Sequence, residues 1–411
     1  MSEAAARYTP VPEIWPSPPV PVRSPAPKAG NANDLASSLR TIAADYKKTY
    51  QQVLLDMARA SFGPGRLTCE EYVFLRLFDE VALGRSGKAA FVGAETSHRI
   101  WATANFRSEW WGVMRNRLAV ATLLGGYGFP MVPLRALYSD TLCLRTAPLL
   151  RTRVELEVFL RDAVHYPLFG KPVAVSPKSV GSICLESYDD DADCVVLPCG
   201  DTIAVDQLVT GITQNAKPGY LFQQCLQPHS RFRELAGDRL VSSRIITICT
   251  ERGPELLRTL LRIPFDSTGS ARPARDSYLL AKLDCQAGRI VRVTRGTGLA
   301  LKEVTGHPDT GATLVGAEIP HWTDTIELAL EAAAALKDVP LVGWDIAATE
   351  SGPMILEATD TPDFFTPQLV DRRGMLNKRF TAFLETCKAA RKRCHSTERF
   401  GAGAAAATPS R

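Results

Sequence analysis

Apolar positions along this chain change period several times, and the changes mark out its elements. From Asp34 to about Phe106 they recur at helical spacing. Thr68 with Glu71 three residues later makes a capping box, after which Tyr72, Leu75 and Phe78 line one helix face. The stretch LAVATLLGGYGFPMVPLRALYS predicts a helix ending at Gly125 and Gly126, then a short strand from Val132 to Leu137. Helix, glycine and strand in that order is the grammar of an α/β region. A helix over Val154 to Ala163 and several short strands follow to about residue 230, punctuated by the acidic turn YDDDAD and by Lys217-Pro218-Gly219. Strands return at Ile245 to Cys249 and Leu256 to Ile263. Thr323 or Asp324 then caps a helix that puts Ile326, Leu330, Ala333 and Leu336 on one face. A hairpin comes next, LVGWDIAA and MILEA joined by Glu350-Ser351-Gly352-Pro353, and a C-terminal helix runs from about Pro367 to Lys392.

Composition narrows the class. The 411 residues are 45% apolar and 22% charged, which is enough to build a large core, and a net charge of +4 over that length gives no nucleic-acid stripe. The basic run Lys388, Arg391, Lys392, Arg393 reads as a solvated helix end. The ten cysteines form no C-x-x-C pair, and Cys184, Cys225, Cys249 and Cys285 sit in apolar runs as small buried side chains. No stretch is apolar enough for a membrane span and no secretory signal opens the chain, so a cytoplasmic protein is expected. Residues 1–32, with eight prolines from Pro10 to Pro27, read as a disordered or extended tail, inert or a docking segment for a partner. Residues 396–411 read as a low-complexity tail.

The hairpin holds the sharpest chemistry. Counting outward from Ser351 sets Asp345 about opposite Glu357, where side chains stand ~5 Å apart and like charges repel unless a cation lies between them. Apolar neighbours on both strands make unpaired carboxylates costly there. A hard divalent cation answers both problems, and magnesium bound by carboxylates and nucleotide phosphates is the usual form. Asp360, three residues on, offers a further oxygen.

HPDTGATLVGAEIPHW, residues 307–322, followed by a helix and GWDIAATESGPMILEATD, resembles the C-terminal lobe of the ATP-grasp superfamily, and specifically its sugar-transfer-associated branch. The likeness runs from about residue 65 to 370. It implies an α+β or α/β ATP-grasp fold: a helical and α/β region at 33–149, a lid lobe at 150–225, and a C-terminal lobe at 226–395 that carries the metal hairpin. FGKPVAVSPKSVGSICLES resembles the strand–loop–strand of the grasp lobe. Lys171 there matches the phosphate-reaching lysine, with Lys178, Ser179, Gly181 and Ser182 on the loop. YLFQQCLQPHS resembles the hinge between the lobes, which implies adenine or ribose recognition by Gln224, Cys225 and Leu226, with His229 closing the motif. With His229, VSSRIITI resembles the family's His…Asn-Thr-x-Arg pattern with Ser242 and Ser243 in place of the Asn-Thr pair; Arg244 opens an apolar strand, where a buried guanidinium calls for an anion, a phosphate or substrate carboxylate. Lys282 and Arg262 are further inward-facing candidates, and His307 and Asp309 shape a turn on the acceptor side. Thr359 stands where the superfamily usually has Asn, which leaves the third metal oxygen to Asp360.

The resemblance implies ATP and Mg²⁺ (or Mn²⁺) as cofactors. Asp345, Glu357 and Asp360 would be metal ligands, and Arg244 and Lys282 catalytic cations. The expected reaction activates a carboxylate as an acyl phosphate for attack by an amine, acting on a cell-surface glycan or an amino-acid-like metabolite. Phosphoryl transfer to a sugar or small molecule is one alternative. A nucleotide-binding interaction protein with weakened catalysis, docking through the proline-rich tail, is the other.

Overall fold

The structure is a computed structural model that describes residues 32–83, 87–174, 181–265 and 278–404, the side chains of 32–34 and 395–404 apart. Seven helices open it: α1 (Ala32–Asp45), α2 (Tyr50–Phe62), α3 (Cys69–Phe74), α4 (Glu80–Leu83), α5 (Ala94–Ala104), α6 (Glu109–Met114) and α7 (Arg117–Gly126). The Thr68–Glu71 capping box forms as its spacing requires, and α7 ends at the glycine pair. Two sheets follow. The smaller takes β1 (Leu134–Tyr138), β2 (Leu149–Leu150), β3 (Leu168–Pro172), β4 (Ile183–Leu185) and, later in the chain, β8 (Tyr220–Gln224), in the order β2-β1-β8-β3-β4. It includes Leu134–Tyr138, ahead of the expected lid boundary at 150. Three short strands, β5 (Ser187–Asp189), β6 (Cys194–Val196) and β7 (Thr202–Ala204), form a sheet of their own between α8 (Arg153–Leu160) and α9 (Val205–Asn215). Only strands were expected after α8; Val205, Leu208, Val209 and Ile212 are instead the buried stripe of α9.

The large sheet contains β9 (Ser242–Thr250), β10 (Gly253–Pro264), β11 (Tyr278–Asp284), β12 (Arg289–Arg295), β13 (Lys302–Val304), β14 (Leu341–Thr349) and β15 (Gly352–Thr359). Its order is β13-β12-β11-β10-β9-β14-β15. All nine residues of β14 are buried, because both faces are covered. On one face Ile245, Trp344 and Ile346 pack against Leu328, Ala329, Ala332 and Ala333 of α11 (Trp322–Ala335). The cap of α11 is neither Thr323 nor Asp324: His321 takes that place in the left-handed region, and Thr325 Oγ1 donates to its carbonyl.

The other face is mixed. Its Ile246 and Ile248 end, with Leu341, packs on Ile100, Trp101 and the C-terminal helix. The expected single C-terminal helix is two, α12 (Phe365–Asp371) and α13 (Lys378–Ala404). The break falls where Arg372 turns left-handed and Gly374 presses on the backbone of residue 90, so closely that a Cβ there would lie 2.2 Å from the Ala90 carbonyl oxygen. Asn377 then accepts the Phe380 N–H and starts α13 afresh.

The two sheets are stitched by one segment. Ile355 N–H of the large sheet donates to Pro130 O, and Gln224 N–H of the small sheet donates to Pro133 O. At the start of α7, Arg117 N–H donates to Val173 O beyond β3. The hinge side is closed by the His229 N–H, which donates to Ala348 O of β14. Among the described residues no helix is long and apolar enough to cross a membrane.

Candidate functional site

Register decides what meets. Asp345 pairs with Glu357 on β15, as counting from the turn predicted, and with Arg244 on β9. Directly paired residues share a face, so two carboxylates and a guanidinium stand in a row across three strands. Arg262 on β10 pairs with Ser242, one place diagonal to Arg244. A bulge then alters the hairpin: Ile346 pairs with Ile355, which leaves Leu356 as the extra residue on β15. Lys171 Nζ, reaching from β3, donates to the Leu356 carbonyl at 3.1 Å.

The carboxylates do repel, and the chain itself answers the repulsion. Arg244 grips Asp345 with both ends of its fork, Nε to Oδ1 and Nη2 to Oδ2, the latter at 2.6 Å, and Arg262 Nη1 lies 3.5 Å from Oδ2. Arg117 Nε donates to Glu357 Oε1 at 2.9 Å while its Nη1 donates to Pro172 O. Burial alone would push the Asp345 carboxyl up; Arg244, Arg262 and Lys171 override it and hold it below the usual value. Lys171, 7% exposed, is pushed down to about 8 by burial, with Glu357 pulling up and Arg117 pushing down. Arg244 is 2% exposed, and its Nη1 has no hydrogen-bond partner among the described residues. Four cations thus face Asp345 and Glu357, with the Asp363 carboxylate in electrostatic reach of two of them, and one buried guanidinium nitrogen is unmet among the described residues, a pattern suited to an added anion.

Two of the groups here were not expected from the sequence. Arg117 sits far from its partner in the chain, on a helix that no motif marks. Asp363 lies within electrostatic reach of Arg244 and Arg262, and its carboxylate also accepts the Phe365 and Thr366 N–H groups that start α12. A second acid spaced three residues after Asp360 was its visible signal.

Other expectations change. Among the described residues no three His, Cys, Asp or Glu side chains gather as a metal-holding group, and Asp360 stands in no such cluster. It lies past the end of β15, buried, with Arg115 Nε 4.0 Å from Oδ2 and its backbone carbonyl accepting from Asn105. Lys282 is half-buried and acts electrostatically on Asp371, beside Arg258, Arg292 and Arg373, rather than on Asp345. His229 serves as a cap, its Nδ1 accepting the Arg231 N–H that starts α10 (Ser230–Ala236), with Glu350 3.7 Å from Nε2. His307 is a buried turn former: its Nδ1 accepts the Asp309 and Thr310 N–H groups. Gln224 accepts from Arg135 through its side chain. Cys225 and Leu226 continue past β8 as irregular chain, and among the described residues no backbone hydrogen bond engages them. Lys178 and Ser179 lie outside the described residues. Gly181 accepts the Tyr220 hydroxyl at its carbonyl, and Ser182 is buried. The cysteines expected inside are less buried: Cys184, Cys225 and Cys249 are half-exposed and Cys285 is exposed.

With this geometry in hand, residues 205–383, a little under half of the chain, match the sequence profile of the family described as sugar-transfer associated ATP-grasp. That stretch is similar to the ATP-grasp family so described. The match holds α9, the hinge, the large sheet and both members of the hairpin. No curated protein sequence matches the chain. Among solved structures, the D-alanine–D-alanine ligase of Bacillus anthracis is similar at 13% identity over 69% of this chain and 70% of its own, with a TM-score of 0.38. An N5-carboxyaminoimidazole ribonucleotide synthetase solved as an ADP complex gives 12% identity, 70% and 56% coverage and a TM-score of 0.36. The L-amino acid ligase of Bacillus licheniformis gives 12%, 60% and 40%, and 0.30. The chain therefore spans 56% of the synthetase and 40% of the L-amino acid ligase.

The depressed Lys171 sets a pH expectation. A lysine whose folded value lies near 8 keeps its charge below that pH and loses it above. Phosphate-bearing ligands should bind with constant affinity below pH ~7 and progressively more weakly above pH ~8. Lys171→Arg should flatten that inflection in a calorimetric titration across pH. An inflection unchanged in the variant assigns the titration to another group.

Proposed function

We propose that the chain is a Mg-ATP-dependent ligase-like enzyme that activates a carboxylate as an acyl phosphate for attack by an amine. One observation carries the reading: Glu357, Asp345 and Arg244 stand side by side where Lys171 of the lid reaches the hairpin, with Arg244 Nη1 buried and unpartnered among the described residues. An excess of fixed cations beside two carboxylates suits a polyphosphate that arrives with its own metal. Asp345 and Glu357 fit a magnesium held by one or two carboxylates together with phosphate oxygens, and do not fit an all-protein cage. When bound, the metal would supply Lewis-acid neutralisation of the phosphates. The chain's own residues do the rest. Lys171 and Arg262 offset negative charge, Arg117 orients Glu357 against the lid, and the open backbone at Cys225 and Leu226 faces an adenine edge. Positioning and electrostatics then supply most of the rate. The family description favours a sugar-linked setting, and ten free cysteines suit a reducing, cytosolic one.

A second reading has its own support. Glu357 is already held by Arg117, and Thr359, in the place of a usual ligand, bonds its hydroxyl to Thr361. Both favour a nucleotide-binding protein with weakened catalysis. The experiment that separates them measures ADP and phosphate release from Mg-ATP against pooled amino acids and sugar acids. Release that needs both a carboxylate and an amine supports the ligase. Release that needs no amine supports phosphoryl transfer, and binding without turnover supports the second reading.

A further inference from the structure

All ten cysteines are free, and one pair is in contact: Cys184 Sγ and Cys225 Sγ lie 3.4 Å apart. They come from 41 residues apart in sequence and from different parts of the lid. Cys184 is the middle residue of β4, the edge strand of the small sheet; Cys225 is the first residue past β8, where the chain leaves that sheet for the large one. Cys184 pairs with Phe169 on β3, and Phe169 pairs on its other side with Gln223 of β8, so the two sulfurs meet across the width of β3. Both side chains are half-buried and so open in part to a small solute. The contact divides the labour between them. The shared hydrogen bond and then desolvation raise the Cys184 thiol, while the same contact holds the Cys225 thiol below its usual value. A low-lying thiol with a second thiol beside it is the arrangement in which oxidation ends as a disulfide rather than a sulfinic acid. No other thiol–thiol contact occurs among the described residues.

We propose that Cys184 and Cys225 are a redox modification site, at which a hydroperoxide-class oxidant joins the edge strand of the lid to the turn between the two sheets. The Cys225 thiolate attacks one peroxide oxygen; an S–O bond forms, the O–O bond breaks, and hydroxide leaves to take up a proton as water. The Cys184 sulfur then attacks the Cys225 sulfenic sulfur. The S–S bond forms as the S–O bond breaks, and the second water departs with the Cys184 proton. Two thiols lose two electrons and hydrogen peroxide gains them. Closing the sulfurs from 3.4 Å to about 2.0 Å draws Cys225 toward β4. On the nucleotide reading above, Cys225 and Leu226 present their backbone to adenine, so the bond pulls that edge out of place and weakens nucleotide binding.

The test treats the full-length protein with hydrogen peroxide, blocks residual thiols with an alkylating agent, and maps peptides by mass spectrometry. A peptide linked through Cys184 and Cys225, lost on treatment with dithiothreitol and absent from Cys184→Ser, is expected. In the same samples the affinity for Mg-ATP should fall about five- to tenfold on oxidation and recover on reduction, and Cys184→Ser should show no oxidation-dependent change. Absence of the linked peptide under conditions that oxidise a small-molecule dithiol, or linkage mainly between other cysteines, overturns the site. A linked peptide with no change in affinity overturns its coupling to the nucleotide. A linked peptide in a protein whose reduced form binds no Mg-ATP overturns the nucleotide reading and leaves the dithiol site standing.

Discussion

Arg244→Met should destabilise the protein by about 3–5 kcal/mol in denaturant unfolding at neutral pH. The methionine fills much the same space, so little packing is lost; what is lost is the fork that grips Asp345 at both oxygens. Asp345 is 7% exposed, and Arg262 at 3.5 Å is left as its near partner. A buried carboxylate short of its main cation keeps the whole cost of desolvation. The pair offers its own control. Replacing both members, Arg244→Met with Asp345→Leu, removes the stranded charge and should recover most of the stability, since apolar replacement of a buried pair is often near neutral. The effect also depends on pH with a definite sign. The folded Asp345 carboxyl lies below its ordinary value of 3.8, so its contribution is complete above that value and is lost as pH falls through the lower, folded one. The gap between wild type and Arg244→Met should therefore close in acid. A loss below about 1 kcal/mol at pH 7 would show that Arg262 and Lys171 suffice for Asp345.

Glu357→Gln should do the reverse, leaving the fold nearly intact and removing Mg²⁺-dependent nucleotide binding. Glutamine keeps the shape and an oxygen that can accept from Arg117 Nε, and Glu357 is more open than Asp345, with 20% of its side chain exposed. The thermal midpoint should move little. An acceptor with a full charge contributes about 1.5–3 kcal/mol more than nothing in its place, which corresponds to a Mg-ATP affinity weaker by roughly 10- to 150-fold. Calorimetry with and without Mg²⁺ reads this directly. If the variant binds Mg-ATP as the parent does, Glu357 is only the partner of Arg117 and the metal lies elsewhere. If metal-free ATP binding is weakened equally, the loss is of site shape.

The hairpin was legible because its information is local. Alternation on both strands and a glycine turn fix the register from the loop outward, so Asp345 had to face Glu357. Arg244 was readable too, as a charge inside an apolar run. What the sequence could not show is the company those carboxylates keep: it displays the repulsion but not the guanidinium groups that arrive from β9, β10 and α7. The bulge at Leu356, which gives Lys171 its carbonyl, depends on one unpaired residue and has no signature in the alternation. The stripe of α9 was present in sequence but outweighed by its Val, Ile and Thr content, which favours strands in isolation.

The sequence by itself determined the elements whose causes lie within a few residues: the capped α3, the glycine-ended α7, the hairpin and the opposition of its two acids. Periodicity and turn chemistry act at that range, and no distant contact is needed to choose between outcomes. Only the tertiary structure decided the charge state around those acids, the split of the C-terminal helix at the close contact between Gly374 and residue 90, and the meeting of Cys184 with Cys225. Each of these depends on which strands and helices become neighbours. That choice is made by burying the whole apolar surface at once, not by any single segment.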